Sequence, residues 1–510
     1  MRTMKDLDET DILPRPRADS LTLSVLEAAL AEFHRHNIPY CYWKSSRRIH
    51  SVLCGEADLD LLVGRQNQHR AEMLLLAEGF KLFPTVANRD HPSILSFLGH
   101  DEASGRLVHI HLHFRLIVGE RLLRNYRLPW EEVVLARAVP HPVLRIRMLD
   151  PTMEAVLLAV RSCLELRRLD PVALRRWQST KNKFALDRAH VAARVDRAAL
   201  RDLATKLLNE RLASTLVDAI YGNTELEDQA RFRRSVTRHL SVFRTYNTCE
   251  ARLRSSWRAL LWIAGNMNRH LLHLPRPWSR RAPGGGCVVA VVGVDGSGKS
   301  TVVAAIRAWL SPEVDVVPIY FGTGAGRPSL FLRPFKLMVP LVMRILKTKP
   351  KGASHGSVSH RPPGWLYSVL MMMWATLVAR EKRNKLLAAR RGAQRGLVVI
   401  TDRYPQDEIV GFNDGPLLTR LTKVPHRLRT FEAAAYALAR RLPPELVVKL
   451  DVRAETAARR EPDMNPALIR QRIADLQRLT FVGARAVRID AEQPLIDVIR
   501  AVQREIWRLL

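Results

Sequence analysis

Residues 293–300 read GVDGSGKS and limit the folds open to this 510-residue chain more than any other feature. They match the pattern GxxxxGK[ST] in full, follow the apolar run 288–292 and precede the helical segment TVVAAIRAWL. A strand, a glycine-rich loop and a helix in this order form the context in which such a loop holds phosphate. The pattern therefore predicts an α/β domain with a phosphate-binding loop.

Each residue type of this loop has a physical role. The glycines let backbone N–H groups converge on phosphate oxygens, assisted by the N-terminus of the following helix. Lys299 is predicted to reach the β and γ phosphates, and Ser300 to bind Mg²⁺. The predicted nucleotide-binding residues are Gly293, Val294, Asp295, Gly296, Ser297, Gly298, Lys299, Ser300 and Thr301.

Asp402 and Arg403 follow another apolar run, within TDRYP. The end of a buried strand lies at the carboxyl edge of the sheet, where open α/β folds bind ligands. Asp402 is predicted to hold Mg²⁺ or its water shell, and Arg403 to contact a phosphate. An ion pair that caps a helix is the alternative.

A segment rich in arginine follows the next strand, with Arg459 and Arg460, then Arg470 and Arg472. Such a segment could close over the transferred phosphate as a lid and bring positive charge to it. A solvated helix face is the equally weighted alternative.

Changes in the pattern of apolar and polar residues along the chain predict several domains. Residues 1–20 are expected to be a flexible N-terminus without a signal peptide, 21–148 an α+β domain and 149–274 a helical block. Residues 275–286, PRPWSRRAPGGG, read as a linker. From 287 to 510, short Val/Ile runs alternate with helical segments, which predicts a parallel sheet buried on both faces.

Asp58 and Asp60 stand two positions apart in CGEADLDLLVG, so both lie on one face of the predicted strand. Paired carboxylates can bind Mg²⁺. His109, His111 and His113 alternate in the same way and could complete a site for a transition metal. An ordinary polar strand face is the favoured alternative for the histidines.

The net charge is +31, and arginine is spread along the whole chain. This charge suits nucleic acid, an anionic membrane or an anionic substrate, but compositional bias explains it equally well. Five scattered cysteines without CxxC spacing predict a reducing, cytoplasmic location.

Residues 327–396 contain fifteen Lys or Arg and one acid, together with the apolar runs LFLRPFKLMVPLVMRIL and WLYSVLMMMWATLVA. Neither run reaches the roughly 20 uncharged residues that a membrane span needs. Core helices are the default expectation, and a helix lying on an anionic membrane surface is the alternative.

The segments GVDGSGKST, TDRYP, LDVRAETAARR and RIDAEQPLIDVIRAV resemble the thymidylate kinase branch of the nucleoside monophosphate kinases, over roughly 287–510. The resemblance implies a parallel five-stranded sheet, ATP with Mg²⁺ as phosphate donor, a nucleotide-like acceptor and dimer formation. It implies Asp295 and Asp402 near acceptor and metal, Arg403 on phosphate, and Arg459 or Arg460 in a lid.

The identity of the acceptor stays open, because this sequence departs from that family after the second strand. Thymidylate kinases usually carry an Arg-Glu-Pro-Gly-Gly-Thr-like stretch after the second strand, whereas this chain has YFGTGAGRPS at 320–329. Arg327 in this stretch could hold an anion. The function expected here is phosphoryl transfer to a nucleoside monophosphate or a related phosphorylated acceptor. An ATP-sensing protein that binds nucleic acid or anionic membrane is the alternative.

The segment YWKSSRRIHSVLCGEADLDLLV resembles, more weakly, the nucleotidyltransferase superfamily that includes DNA polymerase β. This resemblance implies a metal site at Asp58 and Asp60, in a domain that is either active or degenerate.

Overall fold

The computed structural model describes residues 22–120, 122–165, 177–222, 230–272, 274–322, 365–409, 412, 416–418 and 424–510. These residues divide into two compact units. The first unit contains the described residues up to Leu272 together with Trp278–Arg280, and the second contains the remainder, chiefly Arg281–Leu510. No helix among the described residues is both long and apolar enough to cross a membrane.

Short strands build the sheet of the first unit, and its described strands pair in the order β3-β4-β5-β2-β1-β9-β8. A separate ribbon pairs β6 with β7. The central strands β2 and β5 run parallel, with Asp60 opposite His111. The strands are β1 (Tyr40–Tyr42), β2 (Leu59–Val63), β3 (Lys81–Leu82), β4 (Ile94–Asp101), β5 (Arg106–His113), β6 (Leu116–Val118), β7 (Tyr126–Leu128), β8 (Ala138–Pro140) and β9 (Arg147–Leu149).

The helices of the first unit cover the sheet and continue into the predicted helical block. Several begin at a capping side chain; Asp196, Asn209 and Asn247 each accept a hydrogen bond from a backbone N–H in the first turn. The described helices are α1 (Ser24–Arg35), α2 (Ile49–Leu53), α3 (Gln68–Ala77), α4 (Glu131–Ala136), α5 (Pro151–Glu165), α6 (Trp177–Ala192), α7 (Arg197–Leu207), α8 (Glu210–Tyr221), α9 (Ala230–His239) and α10 (Thr248–Met267).

Helix α5 joins the sheet and the helical block in a single core. Its residues from Met153 to Leu164 are all buried. The apolar residues among them form one cluster with Trp43 and Leu62 of the sheet region and with Leu216 and Phe232 of later helices. The sequence pattern separates the α+β region from the helical block near residue 148. In the structure, both lie in one compact unit.

The second unit contains the parallel five-stranded sheet that the resemblance implies, and this prediction is confirmed for the described strands. Their order is β11-β12-β10-β13-β14, and every pairing is parallel. The strands are β10 (Cys287–Gly293), β11 (Val316–Tyr320), β12 (Val398–Asp402), β13 (Leu446–Asp451) and β14 (Arg485–Asp490). The helices are α11 (Lys299–Leu310), α12 (Trp365–Gln394), α13 (His426–Arg441), α14 (Ala454–Arg460), α15 (Pro466–Arg478) and α16 (Leu495–Leu509).

Strand β10 occupies the centre of this sheet because it is apolar along its whole length. Every residue from Cys287 to Gly293 is buried, as expected for a strand covered by helices on both faces. Its neighbours are β12 on one side and β13 on the other. The loops that follow these three strands therefore meet at one edge of the sheet, which is where ligands bind in such folds.

Part of the basic apolar region belongs to the described core. The second apolar run lies in α12, where Ala375 and Val378 form a buried cluster with Leu417 and Leu418. The first apolar run, Arg327 and the segment after residue 322 lie outside the described residues, as does the predicted flexible N-terminus.

Candidate functional site

The loop between β10 and α11 has the geometry of an anion site. Gly296 and Gly298 have φ angles of 80° and 85°, in the left-handed region that glycine alone adopts at little cost. Gly298 immediately precedes α11, so the N–H groups of the first helical turn lie at the loop. Such N–H groups, together with the helix dipole, favour a bound phosphate.

Close packing explains two glycines of this loop. A Cβ atom at Gly293 would lie 2.4 Å from the Oγ atom of Ser297 and 3.2 Å from the carbonyl oxygen of Leu450. At Gly296 it would lie 3.0 Å from the carbonyl oxygen of Ala457. The phosphate-binding loop is therefore packed directly against the end of β13 and against α14.

The side chain of Lys299 crosses the inside of the loop. The residue is 6% exposed, and its Nζ donates a hydrogen bond to the carbonyl oxygen of Val294 at 2.6 Å. Burial, reinforced by the nearby Arg403, lowers the pKa of Lys299 to about 8. The ammonium group is thus held where an oxygen of a bound phosphate can take the place of the carbonyl.

Ser300 and Asp402 meet beside the loop. Pairing of β10 with β12 sets Asp402 opposite Val291, and the Ser300 hydroxyl donates a hydrogen bond to Oδ2 of Asp402 at 2.9 Å. The other carboxylate oxygen, Oδ1, is buried and accepts no hydrogen bond from the described part of the chain. A hydroxyl and a buried carboxylate are the oxygen ligands that Mg²⁺ prefers, so these two residues fit that ion.

Three cationic side chains lie close to the carboxylate of Asp295 at the loop. Its Oδ1 accepts a hydrogen bond from Nη2 of Arg403 at 2.8 Å, and its Oδ2 accepts one from Nη1 of Arg472 at 2.6 Å. The Nζ of Lys299 lies 3.9 Å from Oδ1. One carboxylate therefore orients two arginines and the loop lysine toward the same small volume.

Arg403 holds an unusual backbone conformation next to the loop. Its φ angle is 68°, which costs a residue with a side chain of the order of 1 kcal/mol. Its N–H donates to the carbonyl oxygen of Val291 at 2.9 Å, which ties the strained residue to β10. Residues held in this way are typical of functional sites.

The arginines of the predicted lid segment take different positions. Nη1 of Arg460 donates to the carbonyl oxygen of Gly296 at 3.0 Å, so this residue contacts the loop. Nη2 of Arg459 lies 3.3 Å from the hydroxyl of Thr456 in its own helix. Arg470 is exposed, whereas Arg472 reaches Asp295.

Arg472 is the site residue that the sequence pattern should have singled out. It lies three positions after Ile469 and four before Leu476, which are the buried residues of α15. Positions three and four apart share one face of a helix. An arginine on the apolar face of an amphipathic helix is therefore distinguishable from the solvated Arg470 by helical spacing alone.

In the first unit, the predicted metal residues meet the three histidines. Nδ1 of His109 lies 3.1 Å from Oδ1 of Asp58, and Nε2 of His113 lies 3.1 Å from Oδ1 of Asp60. Nδ1 of His111 lies 3.8 Å from Oδ2 of Asp58 and 3.6 Å from Oδ1 of Asp60. The strand faces predicted to be polar therefore form one cluster of carboxylate and imidazole groups.

Two curated relatives and one solved structure each match less than half of the chain. No model of a protein family matches it. A protein of Escherichia coli K12, the uncharacterized ATP-binding protein YghS, is 32% identical over 228 residues, which cover 44% of this chain and 93% of YghS. A second protein of that strain, the uncharacterized ATP-binding protein YghR, is 28% identical over 223 residues, which cover 43% of this chain and 86% of YghR.

Among solved structures, a deoxyadenosine kinase from M. mycoides with bound dCTP aligns with 43% of this chain and 98% of its own. The sequence identity is 14% and the TM-score is 0.24, so this alignment supports no further conclusion. The relation to YghS is stronger, since it rests on sequence and covers nearly the whole of that protein. The chain therefore belongs to the family of ATP-binding proteins that includes YghS of E. coli.

Proposed function

We propose that the second unit binds ATP with Mg²⁺ and transfers the γ-phosphate to a nucleoside monophosphate or a related small phosphorylated acceptor. The observation that carries this proposal is the convergence of Lys299, Arg403 and Arg472 on Asp295 at the phosphate-binding loop. Phosphoryl transfer needs cations fixed around the moving group, because negative charge spreads over its oxygens. The name of YghS, an ATP-binding protein, supports ATP as the donor.

Binding of the triphosphate is assigned to the loop itself. The N–H groups that precede and begin α11 hold the phosphate oxygens. Lys299 exchanges its hydrogen bond to Val294 for one to a phosphate oxygen. Ser300 and Asp402 would hold Mg²⁺, which would neutralise part of the charge of the triphosphate.

Positioning of the transferred group is assigned to the two arginines on Asp295. Their donors are prealigned by the carboxylate, so little reorganisation is needed when charge develops. Arg403 comes from the end of β12 and Arg472 from α15. Since the two residues approach from different elements, the group they contact is enclosed from two directions.

We further propose that this kinase is of the thymidylate kinase-like subtype, although the proposal of phosphoryl transfer does not depend on the subtype. It rests on the resemblance of the loop, TDRYP and the arginine-rich segment, whereas the acceptor-binding stretch of that family is replaced at 320–329. Selection of the acceptor is therefore the property to measure.

For the first unit we propose a nucleotidyltransferase-like domain. One support is the resemblance of the segment YWKSSRRIHSVLCGEADLDLLV. The other is the position of the two carboxylates: Asp58 immediately precedes β2, Asp60 lies within β2, and β2 pairs with the parallel strand β5. Transfer of a nucleotide by this domain is a separate activity, and its failure would leave the kinase proposal untouched.

The kinase proposal is tested by incubating the full chain with Mg·ATP and a panel of nucleoside monophosphates. We expect at least one acceptor to be phosphorylated in step with ADP formation. The Lys299→Ala variant should lose about 100-fold or more of this rate, since removing one charge-stabilising donor typically has that effect. Circular dichroism of the variant, matched to the parent, shows that the fold is retained.

Two outcomes would contradict the proposal. If no acceptor raises ADP formation above the Lys299→Ala background, the chain is not a kinase for this class. If ATP binds and no acceptor is phosphorylated, while salt-sensitive binding to nucleic acid or anionic vesicles is found, the alternative of an ATP-sensing protein is supported instead.

A further inference from the structure

The side-chain cluster between β2 and β5 is built to receive a cation. Asp58, His109 and His111 each direct one ligand atom into the same volume, and these atoms all lie within 4.8 Å of one another. His109 and His111 come from β5, and Asp58 immediately precedes the parallel strand β2, whose register sets Asp60 opposite His111. The sheet thus fixes the two histidines, and Asp58 enters the cluster at the point where β2 begins.

The distances in this cluster are close to those of a four-coordinate metal centre. Metal–ligand bonds of about 2.0–2.2 Å in a tetrahedral arrangement place neighbouring ligand atoms about 3.3–3.6 Å apart. Nδ1 of His109 lies 3.1 Å from Oδ1 of Asp58, and Nδ1 of His111 lies 3.8 Å from its Oδ2, so the two separations lie on either side of that range. Oδ1 of Asp60 lies 3.6 Å from Nδ1 of His111 and adds a second negative charge beside the three ligand atoms.

The donor set selects the metal. Two imidazole nitrogens and a carboxylate suit Zn²⁺ and its neighbours in the first transition row, whereas Mg²⁺ requires oxygen ligands in octahedral geometry. The inner wall of the cluster is buried, with His109 5% exposed and His113 fully enclosed. The side chain of Asp58 is 46% exposed, which leaves an entry path from solvent.

An arginine-lined cavity adjoins the cluster. Its volume is about 280 Å³, and His111 forms part of its wall. Four arginines line it, Arg89, Arg124, Arg258 and Arg280, and the described lining includes no Asp or Glu. Guanidinium groups bind phosphate and carboxylate oxygens strongly and bidentately. A cavity with this lining beside a cation site is suited to an anion that contacts the metal.

We propose that Asp58, His109 and His111 bind one divalent transition metal ion of the Zn²⁺ class, and that the adjoining cavity binds a small phosphate-bearing ligand that completes its coordination. The residues lie entirely in the first unit, so the site is independent of phosphoryl transfer at the loop of the second unit. It departs from the Mg²⁺ site that the nucleotidyltransferase resemblance implies.

The test uses the full chain, freed of any affinity tag and of metal, and titrated with Zn²⁺ or Mg²⁺ by calorimetry. We expect one Zn²⁺ per chain and no competition by millimolar Mg²⁺. Loss of an outer-shell partner weakens metal binding by roughly 10- to 100-fold, so loss of a direct ligand in His111→Asn should weaken it by about 100-fold or more. Asp58→Asn, at a half-exposed side chain, serves as the second variant should His111→Asn misfold.

Two matched controls distinguish this site from other metal-binding groups. His91→Asn removes a histidine that lines the same cavity but lies outside the cluster, and it should bind Zn²⁺ like the parent. Asp402→Asn tests the loop of the second unit and should also bind Zn²⁺ like the parent. Zn²⁺ binding that is absent, or unchanged in both Asp58→Asn and His111→Asn, would overturn the metal site.

The anion part is tested with Co²⁺ in place of Zn²⁺ and with inorganic pyrophosphate as the probe. Four-coordinate Co²⁺ absorbs visible light, and we expect pyrophosphate to change this spectrum. Arg124→Gln should weaken the pyrophosphate effect at least tenfold while Co²⁺ binding stays the same. A spectrum unaffected by pyrophosphate, or an equal response in Arg124→Gln, would overturn the anion site and leave the metal site standing.

Discussion

Asp295 accepts hydrogen bonds from two arginines that follow it by 108 and 177 positions in the chain. A charged hydrogen bond on each of its oxygens fixes the rotamers of Arg403 and Arg472 before any ligand arrives. Prealigned donors are worth more in catalysis than mobile ones, because they need no reorganisation at the moment of reaction. A phosphate group that enters the loop competes with this carboxylate for the same cations.

Arg472 and Arg470 provide a matched pair for testing this arrangement. Both are on α15, but Arg472 contacts Asp295 while Arg470 is exposed. We expect Arg472→Ala to lower kcat with the best acceptor by about 100-fold, the usual effect of losing one charge-stabilising donor. Arg470→Ala should change kcat less than about threefold, as expected for a charge in contact with solvent.

Steady-state kinetics of ADP formation measures both variants. Arg472→Lys adds a diagnostic, because lysine keeps the charge but cannot reproduce the planar, forked guanidinium. Equal losses in Arg472→Ala and Arg470→Ala would show that the contact with Asp295 has no role in turnover.

At the scale of elements, the start of β10 depends on a glycine that lies outside the phosphate-binding loop. Gly286 donates its N–H to the carbonyl oxygen of Ala393 at 2.9 Å. A Cβ atom at this position would lie 2.2 Å from the carbonyl oxygen of Leu397 and 2.5 Å from that of Ala393. Both carbonyl oxygens belong to the backbone, one at the end of α12 and one immediately before β12. They therefore cannot move away by a change of rotamer, as a side-chain atom can.

Gly286→Ala should therefore destabilise the second unit by about 3 kcal/mol, the upper part of the usual range for overpacking. Gly284→Ala is the control, because its Cβ would meet no atom within 4 Å and only its φ of 69° is unfavourable. That cost is about 1 kcal/mol. Urea denaturation of both variants measures the difference, and equal free energies of unfolding would show that β10 and α12 adjust freely to one another.

At the scale of the whole molecule, each unit has a buried core of its own. The first unit encloses the clusters around α5 and around β2 and β5. The second has its own central strand, β10, with every residue buried. A ligand adds stability to the unit whose residues bind it, by an amount set by its concentration and affinity.

Mg·ATP at 100 times its dissociation constant should thus stabilise the second unit by about 2.7 kcal/mol. Hydrogen exchange of the full chain, followed by mass spectrometry, should slow in β10 and β13 when Mg·ATP is added. Exchange in β4 and β5 should be unchanged, and Lys299→Ala should remove the effect. Equal slowing in both units would show that they open as one cooperative body.

Local sequence predicted much of the second unit. Strands β10, β12 and β13 are recognisable because each is a short run rich in Val, Ile and Leu, and burial on both faces demands such runs. The loop is recognisable because its backbone is left-handed at Gly296 and Gly298, and this conformation strongly favours glycine over other residues. Asp402 was placed at the sheet edge because a residue that ends a parallel strand must lie there.

The roles of the arginines were harder to predict because charge on a helix says little about its partner. Arg459 and Arg460 are neighbours in the sequence, yet one bonds within its own helix and the other contacts the loop. The helical block likewise looked separate, since helical spacing shows which face is buried but not against what. Helix α5 is buried on all sides by both parts of the first unit.

By itself the sequence determined much of which segments become strands and helices, where the phosphate-binding loop lies and which residues are candidates for binding metal, because these depend on neighbours a few positions apart. Only the tertiary structure decided that Asp295, Arg403 and Arg472 share one site, and that Asp58, immediately before β2, meets His109 of β5. Such contacts depend on strand order, register and helix packing. Those follow from the burial of whole apolar faces, a property of the folded chain that local sequence does not specify.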